Sequence, residues 1–301
     1  MTDHIASNKR RAQLLVAGFV APIVVLGALV GLLAGNLLIG ALVGVGVSAL
    51  SAGTLYRQAD AIALRVSRAV PADPVQHQRL HNLVDGLCVA NGLPKPRVFV
   101  VADPAPNAFV VGLRPRNASL AVTTGLLDTM NRVELEGVVA YQLASVRSYD
   151  TLVATLAPVM LAPLALAGDL LTRLRWWNGG RSAREGDRPE RSNPVASLGL
   201  VLLALASYSA AWLRAVVGSE RVVLADLAAC QMTRYPPGLL SALEKMRADS
   251  TVTHSATSAT AHLWMAQPLS GTAGDGPLAW AHRRFDAHPP LDDRIALLRE
   301  L

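Results

Sequence analysis

The sequence predicts an integral membrane protein of α+β class, mostly α, with two hydrophobic helical hairpins and a soluble part that holds a small antiparallel sheet. Three observations carry this expectation. No charged residue occurs from Gln13 to Tyr56, a run more than twice the ~20 residues that one span needs. Apolar residues make up 51% of the 301-residue chain and charged residues only 17%, which is too apolar for an ordinary soluble domain. Between the hydrophobic stretches, helical periodicity alternates with short β-branched runs. The same composition excludes a disordered chain. Two cysteines exclude a disulfide-stapled secreted scaffold.

The first hydrophobic run divides into spans near Leu14–Ala34 and Leu37–Leu55, turning at Gly35-Asn36. It is far longer than the apolar core of a signal peptide. Gly27, Gly31 and Gly35 are four apart, as are Gly40 and Gly44. Such ridges let helices approach closely, either within the hairpin or in a seam between two copies of the chain. A second pair covers Thr151–Leu171 and Val195–Val217. Between them lies the arginine-rich loop 172–194, with Trp176 and Trp177 as interface anchors. The chain thus divides into a two-span hairpin (1–56), a first soluble part (57–150), a second hydrophobic hairpin (151–217) and a second soluble part (218–301). Lys9, Arg10 and Arg11 precede the first span and favour a cytoplasmic N-terminus, which puts 57–150 in the cytoplasm after two crossings. Full crossing by the second pair would put the arginines of 172–194 outside, against the same rule, so a shallow or re-entrant hairpin competes with it.

In the soluble part, Asp73–Ala90 has a helical apolar rhythm that Gly92 and Pro94 stop. Strand-type runs follow at Arg97–Ala102, Ala108–Leu113 and Ala118–Thr123. Gly125–Met130 reads as a short helix. Val133–Arg147 reads as a longer one, with Asn131 as N-cap and Glu134 and Glu136 in its first turn; a direct continuation into the next hydrophobic segment is open to it. Helices are expected at Ser219–Met232, Pro237–Arg247 and Leu291–Leu301, with a loop over Thr251–Thr260.

Several motifs occur in a recognisable order. Leu93-Pro94-Lys95-Pro96-Arg97-Val98 is followed by Asn107-Ala108-Phe109, then Val122-Thr123-Thr124-Gly125-Leu126-Leu127, then Glu134-Leu135-Glu136-Gly137-Val138-Val139-Ala140 and Asp150. After the second hydrophobic pair come Arg221 and Ala225-Asp226. Near the end stand His288-Pro289-Pro290 and Arg294-Ile295. The series resembles the M48 metallopeptidases of the HtpX type, membrane-bound zinc proteases of bacterial protein quality control, and covers nearly the whole chain. It implies a gluzincin-like peptidase domain in a bacterial plasma membrane. Asp226, His288, Pro289 and Arg294 would be structural elements of that domain. Asn107, Ala108 and Phe109 match a strand that borders the substrate cleft and can pair with an extended peptide; Phe109 reads equally as a core residue.

The resemblance also implies His-Glu-x-x-His on the helix that starts near Val133. Two imidazoles would hold zinc, and the Glu would act as base on its water. A Glu four residues before Asp226 would complete the ligands. Here those positions hold Tyr141, Gln142, Ser145 and Val222. A phenol is a poor ligand at neutral pH, a serine hydroxyl a weaker one, and valine has no donor atom. Glutamine accepts no proton from water. The expectation is therefore no zinc, no catalytic residue and no enzyme: a membrane-embedded pseudopeptidase serving as a binding, scaffold or regulatory subunit of a membrane protein complex. An active metallopeptidase with an unorthodox metal site is the alternative.

Other sites are weaker. His77 and His81 have i, i+4 spacing but no third ligand nearby. Cys88 and Cys230 sit on apolar helix faces and read as core residues. The net charge of +6 fits anionic headgroups better than nucleic acid, because the arginine-rich loop lies between apolar segments. The expected partners are the lipid bilayer and either a membrane protein or a second copy of the chain.

Overall fold

The computed structural model describes residues 2–156, 220–256, 260–267 and 289–301. Most of the second hydrophobic pair, all of loop 172–194 and His288 lie outside these residues. The described chain falls into two compact units. Residues 13–56 belong to one; residues 2–12, 57–156 and those from 220 onward belong to the other.

The first unit is a hairpin of α1 (Thr2–Leu33) and α2 (Leu37–Val66), whose outer ends extend into the second unit. Both helices are long and apolar enough to cross a membrane, and many of their large side chains, such as Val25 and Val30 of α1 and Leu38 and Leu42 of α2, are exposed as a lipid-facing surface requires. The turn falls at Gly35, whose φ of 87° suits glycine. Gly27 and Gly31 face Gly40 and Gly44 at backbone contact. A Cβ on Gly27 would lie 2.7 Å from the Gly40 carbonyl oxygen. Gly35 is not part of this ridge, since nothing lies near its missing side chain.

The second unit holds a four-stranded sheet in the order β1-β2-β4-β3, formed by Val70–Pro71, Arg97–Val101, Ser119–Thr123 and Ala108–Val111 respectively. The sheet is mixed, not antiparallel as the sequence suggested. β1 pairs β2 and β3 pairs β4 antiparallel, but β2 and β4 run parallel, with Phe99 opposite Ala121. The reason lies in the connection: β3 returns along the far side of β4, so β4 re-enters beside β2 in the same direction. A parallel pair needs a crossover of about a dozen residues or more, and the segment containing β3 provides it. Every residue of β4 is buried, as befits a central strand with partners on both edges.

α3 (Gln78–Asn91) starts later than its apolar rhythm suggests. The Asp73 carboxylate accepts the N–H groups of Val75 and Gln76 at 2.8 and 2.9 Å, which holds residues 74–77 in a turn in place of a helix. Gly92, with φ 63°, ends α3. α4 (Thr124–Thr129) is capped by the Thr123 side chain. α5 (Arg132–Arg147) begins with a capping box: Asn131 accepts from Val133 and Glu134, and Glu134 returns a carboxylate to the Asn131 N–H. α5 does not run on into the third hydrophobic segment. Ser148 caps it, Tyr149 takes a φ of 59°, and helix resumes over 150–156.

α6 (Glu220–Thr233), α7 (Pro236–Ala248) and α8 (Leu291–Arg299) complete the unit. α5 packs on α6, α7 and β3, and from Gly137 to Val146 it has no exposed residue. Gly137 is required there, because a Cβ would lie 2.6 Å from the Leu239 nitrogen of α7. The core joins Leu80, Val84, Leu120, Val138, Leu143, Leu239 and Leu243. Burying each such side chain is worth ~1.5–3 kcal/mol.

Candidate functional site

α5 carries Tyr141, Gln142 and Ser145, with Tyr141 and Ser145 one turn apart on the same face. α6 carries Arg221 and Val222 at its start and Asp226 one turn on. Although Val222 is far from the other three in sequence, Tyr141, Gln142, Ser145 and Val222 line one cavity, walled by Val110 of β3 and by His262 and Trp264. Its free volume is about 20 Å³, room for about one water molecule.

Each of the four side chains already has a place in the protein. Tyr141 is buried, and the Arg294 guanidinium lies 5.0 Å from the centre of its ring. Burial pushes the phenol up to about 12, so it stays protonated at any physiological pH. The Gln142 amide donates to the Ala108 carbonyl at 3.2 Å, an oxygen that also accepts the Met265 N–H at 2.8 Å. Ser145 is buried on the cavity wall, and Val222 is 3% exposed and belongs to the main core.

Charged groups frame the cavity. Arg221 Nη1 meets Asp150 Oδ2 at 3.3 Å, with both side chains 9% exposed. Arg221 Nη2 also donates to the His262 carbonyl at 3.3 Å. The His262 ring donates its Nε2 proton to the Ala154 carbonyl at 3.0 Å, since a carbonyl can only accept. Deeper in, Arg294 grips Asp226 with two hydrogen bonds and donates a third to the Met265 carbonyl. Asp226 and Arg294 are thus structural partners across α6 and α8. Pro289 precedes Pro290, the N-cap residue of α8.

Asn107, Ala108 and Phe109 do not border an open edge. The outer side of β3 is covered by the protein's own Trp264–Ala266. Phe109 bridges to Trp264 in antiparallel fashion, their rings edge-on at 4.6 Å. Asn107 donates to the Ala266 carbonyl at 2.9 Å and accepts the Ala266 N–H at 3.1 Å. All three residues are at most 2% exposed. Pairing in this way hides backbone groups that an open strand edge would leave unmatched. For Phe109, the core placement is the one found.

Sequence reasoning missed the roles of His262 and Trp264 at the cavity. His262 stands beside a short apolar run, and nothing local marks it as a neighbour of Ser145. His77 is the residue before α3, and the His81 ring lies 3.1 Å from the Ala72 carbonyl. His254 is exposed in a loop, and Cys88 and Cys230 are buried thiols whose pKa values burial raises.

Tyr141, Gln142, Ser145 and Val222 do not fit the zinc that the resemblance implies, and the cavity's imidazole and carboxylate, His262 and Asp150, are joined by no third such ligand among the described residues. Structural and catalytic zinc takes thiolate, imidazole or carboxylate ligands. The four positions supply a protonated phenol, an amide already bonded to Ala108, an alcohol and an alkyl group.

The profile of "Peptidase family M48" matches residues 74–301. A relative named "Protease HtpX homolog" from Caldanaerobacter subterraneus is 37% identical over 82% of this chain and 79% of its own. One of the same name from Limosilactobacillus reuteri is 34% identical over 99% of both chains. A third, from Dictyoglomus turgidum, is 36% identical over 81% of this chain and 76% of its own. No solved structure matches the chain. These similarities overturn the expectation of a non-enzyme. The relatives are named as proteases and the matching profile is a peptidase family, so the chain stands among peptidases.

Proposed function

As the chain belongs to peptidase family M48, we propose that it is a membrane-bound protein of the HtpX type that acts on polypeptide chains. One observation carries this reading: α5 and α6 bring Tyr141, Gln142, Ser145 and Val222 to a single cavity against β3, within the region that matches the family. The relatives' name supplies the activity, proteolysis. Lys9, Arg10 and Arg11, within α1 and ahead of its apolar run, support a cytoplasmic soluble part at a bacterial plasma membrane.

The test uses the full chain, purified in mild detergent and returned to lipid bilayers, with unfolded casein as the probe. The reading expects casein to be retained on the protein-bearing membranes and peptides to appear, detected by mass spectrometry. Loss of both would overturn it.

A second reading keeps the polypeptide contact and gives it a scaffold or regulatory role beside a membrane-protein partner or a second copy. The chemistry of the four cavity positions favours it, because each side chain is engaged in packing or hydrogen bonding. Its readout is a stoichiometric partner that co-purifies in mild detergent and leaves when the cavity wall is altered at Val110.

A further inference from the structure

We infer that the α5–α6 cavity takes no zinc, and that four side chains alone, Tyr141, Gln142, Ser145 and Val222, separate it from a zinc site. The first half rests on donor chemistry and on what the side chains already do. The Tyr141 ring has, 5.0 Å from its centre, a guanidinium that is itself fixed by Asp226. A cation entering at Tyr141 meets the Arg294 guanidinium, and the nearby carboxylates are already engaged by arginines, Asp226 by Arg294 and Asp150 by Arg221. The Gln142 amide must turn its N–H toward Ala108 to serve that carbonyl. Val222 offers no lone pair and contributes apolar surface to the core.

The second half rests on geometry. Tyr141 and Ser145 are one helical turn apart on α5, the spacing at which two imidazoles face one ion. Val222 of α6 lines the same small cavity from across the helix pair. The backbone that holds these positions is secured by interactions none of the four provides: the Asn131–Glu134 capping box, the Gly137 contact with α7, and the Asp226–Arg294 pair. Changing the four residues therefore leaves the frame in place.

The inference concerns metal content, which is read whether or not casein is cleaved, so its failure and that of the proposed function are separate results. The full chain in detergent is exposed to zinc salt, desalted and analysed by elemental mass spectrometry. The expected result is no retained zinc. If zinc is retained near one per chain, two variants are made, one combining Tyr141→Phe, Gln142→Ala and Ser145→Ala, the other combining Asp150→Asn and His262→Gln, the remaining cavity groups of ligand type. Loss of the metal in either variant overturns the inference; retention in both places the metal elsewhere and upholds it. The converse variant combines Tyr141→His, Gln142→Glu, Ser145→His and Val222→Glu, and is expected to hold about one zinc per chain. Should it fail to fold, the threefold variant that leaves Gln142 on Ala108 takes its place. A folded variant without zinc, or loss of the fold in both, overturns the claim that only four side chains are at issue.

Discussion

Arg294 and Asp226 are joined by a two-pronged ion pair, Nε to Oδ2 at 2.8 Å and Nη2 to Oδ1 at 2.7 Å, with neither side chain more than 1% exposed. The third donor of Arg294 holds the Met265 carbonyl at 2.8 Å, and its guanidinium faces the Tyr141 ring. One side chain thus ties α8, α6, α5 and the segment that covers β3. Arg294→Met would leave a buried carboxylate without its partner and is expected to cost ~3–5 kcal/mol. Arg294→Lys keeps the charge but loses the planar fork, so it should recover only part of that loss. Denaturant unfolding of the detergent-purified chain measures both, and wild-type stability in Arg294→Met would count against this role.

Glu134 predicts an acid-sensitive joint. Burial, the largest influence, pushes its carboxyl up. Lys245, Ser241 and the Asn131 N–H together outweigh it, and the net shift is downward from 4.5. Because the folded value is the lower one, the unfolded chain takes up the proton first on acidification. Stability is therefore fully present above pH 4.5 and is lost as pH falls through the lower folded value. Glu134→Gln should flatten the stability–pH curve in that window while lowering stability at pH 7. An unchanged curve between wild type and variant would refute it.

Gln142→Glu tests the bond to Ala108. The variant places a carboxylate against a carbonyl oxygen that needs a donor, in a buried position. At neutral pH it should lose ~1–3 kcal/mol, with part of the loss recovered on acidification as the carboxyl gains a proton that it can donate. Gln142→Met, similar in size and without the amide, should show a smaller loss and no pH dependence. Thermal unfolding at two pH values distinguishes these outcomes.

The glycine seam of the hairpin predicts sharp positional contrast. Gly40→Leu would drive a side chain into the backbone of Gly27 and Gly31, whereas a Cβ on Gly46 meets nothing within 4 Å. Gly40→Leu should separate α1 from α2 and lower the thermal midpoint in detergent, while Gly46→Ala should leave it near wild type. The contrast can be read from a disulfide between cysteines introduced at facing α1 and α2 positions. Equal cross-linking in both variants would show that the seam does not depend on Gly40.

The elements that rest on local physics were legible in the residues. Asn131 followed three positions on by Glu134 marks a helix start, and Gly92 marks a helix end, because capping involves groups within one turn. The turn at Gly35-Asn36 follows from an apolar run too long for one span. The strand runs beginning near Arg97, Ala108 and Ser119 stood out by their β-branched residues. Their pairing did not: nothing in Arg97–Val101 shows that its neighbour is β4 and runs parallel. The two-residue β1 at Val70–Pro71 carries no pattern of its own.

Of the site, the order of motifs singled out Tyr141, Gln142, Ser145 and Val222, which the structure brings to one cavity. What each does there came from packing: the ring of Tyr141 beside Arg294, the amide of Gln142 on Ala108. That Trp264–Ala266 covers β3, and that His262 joins the cavity, depends on segments more than 100 residues from α5 in the chain. By itself, the sequence determined the apolar hairpin, the start of α5 and the end of α3, because each follows from neighbours along the chain. Only the tertiary structure decided which buried donor meets which acceptor. Once side chains leave water, a hydrogen bond depends on orientation set by several packed elements together.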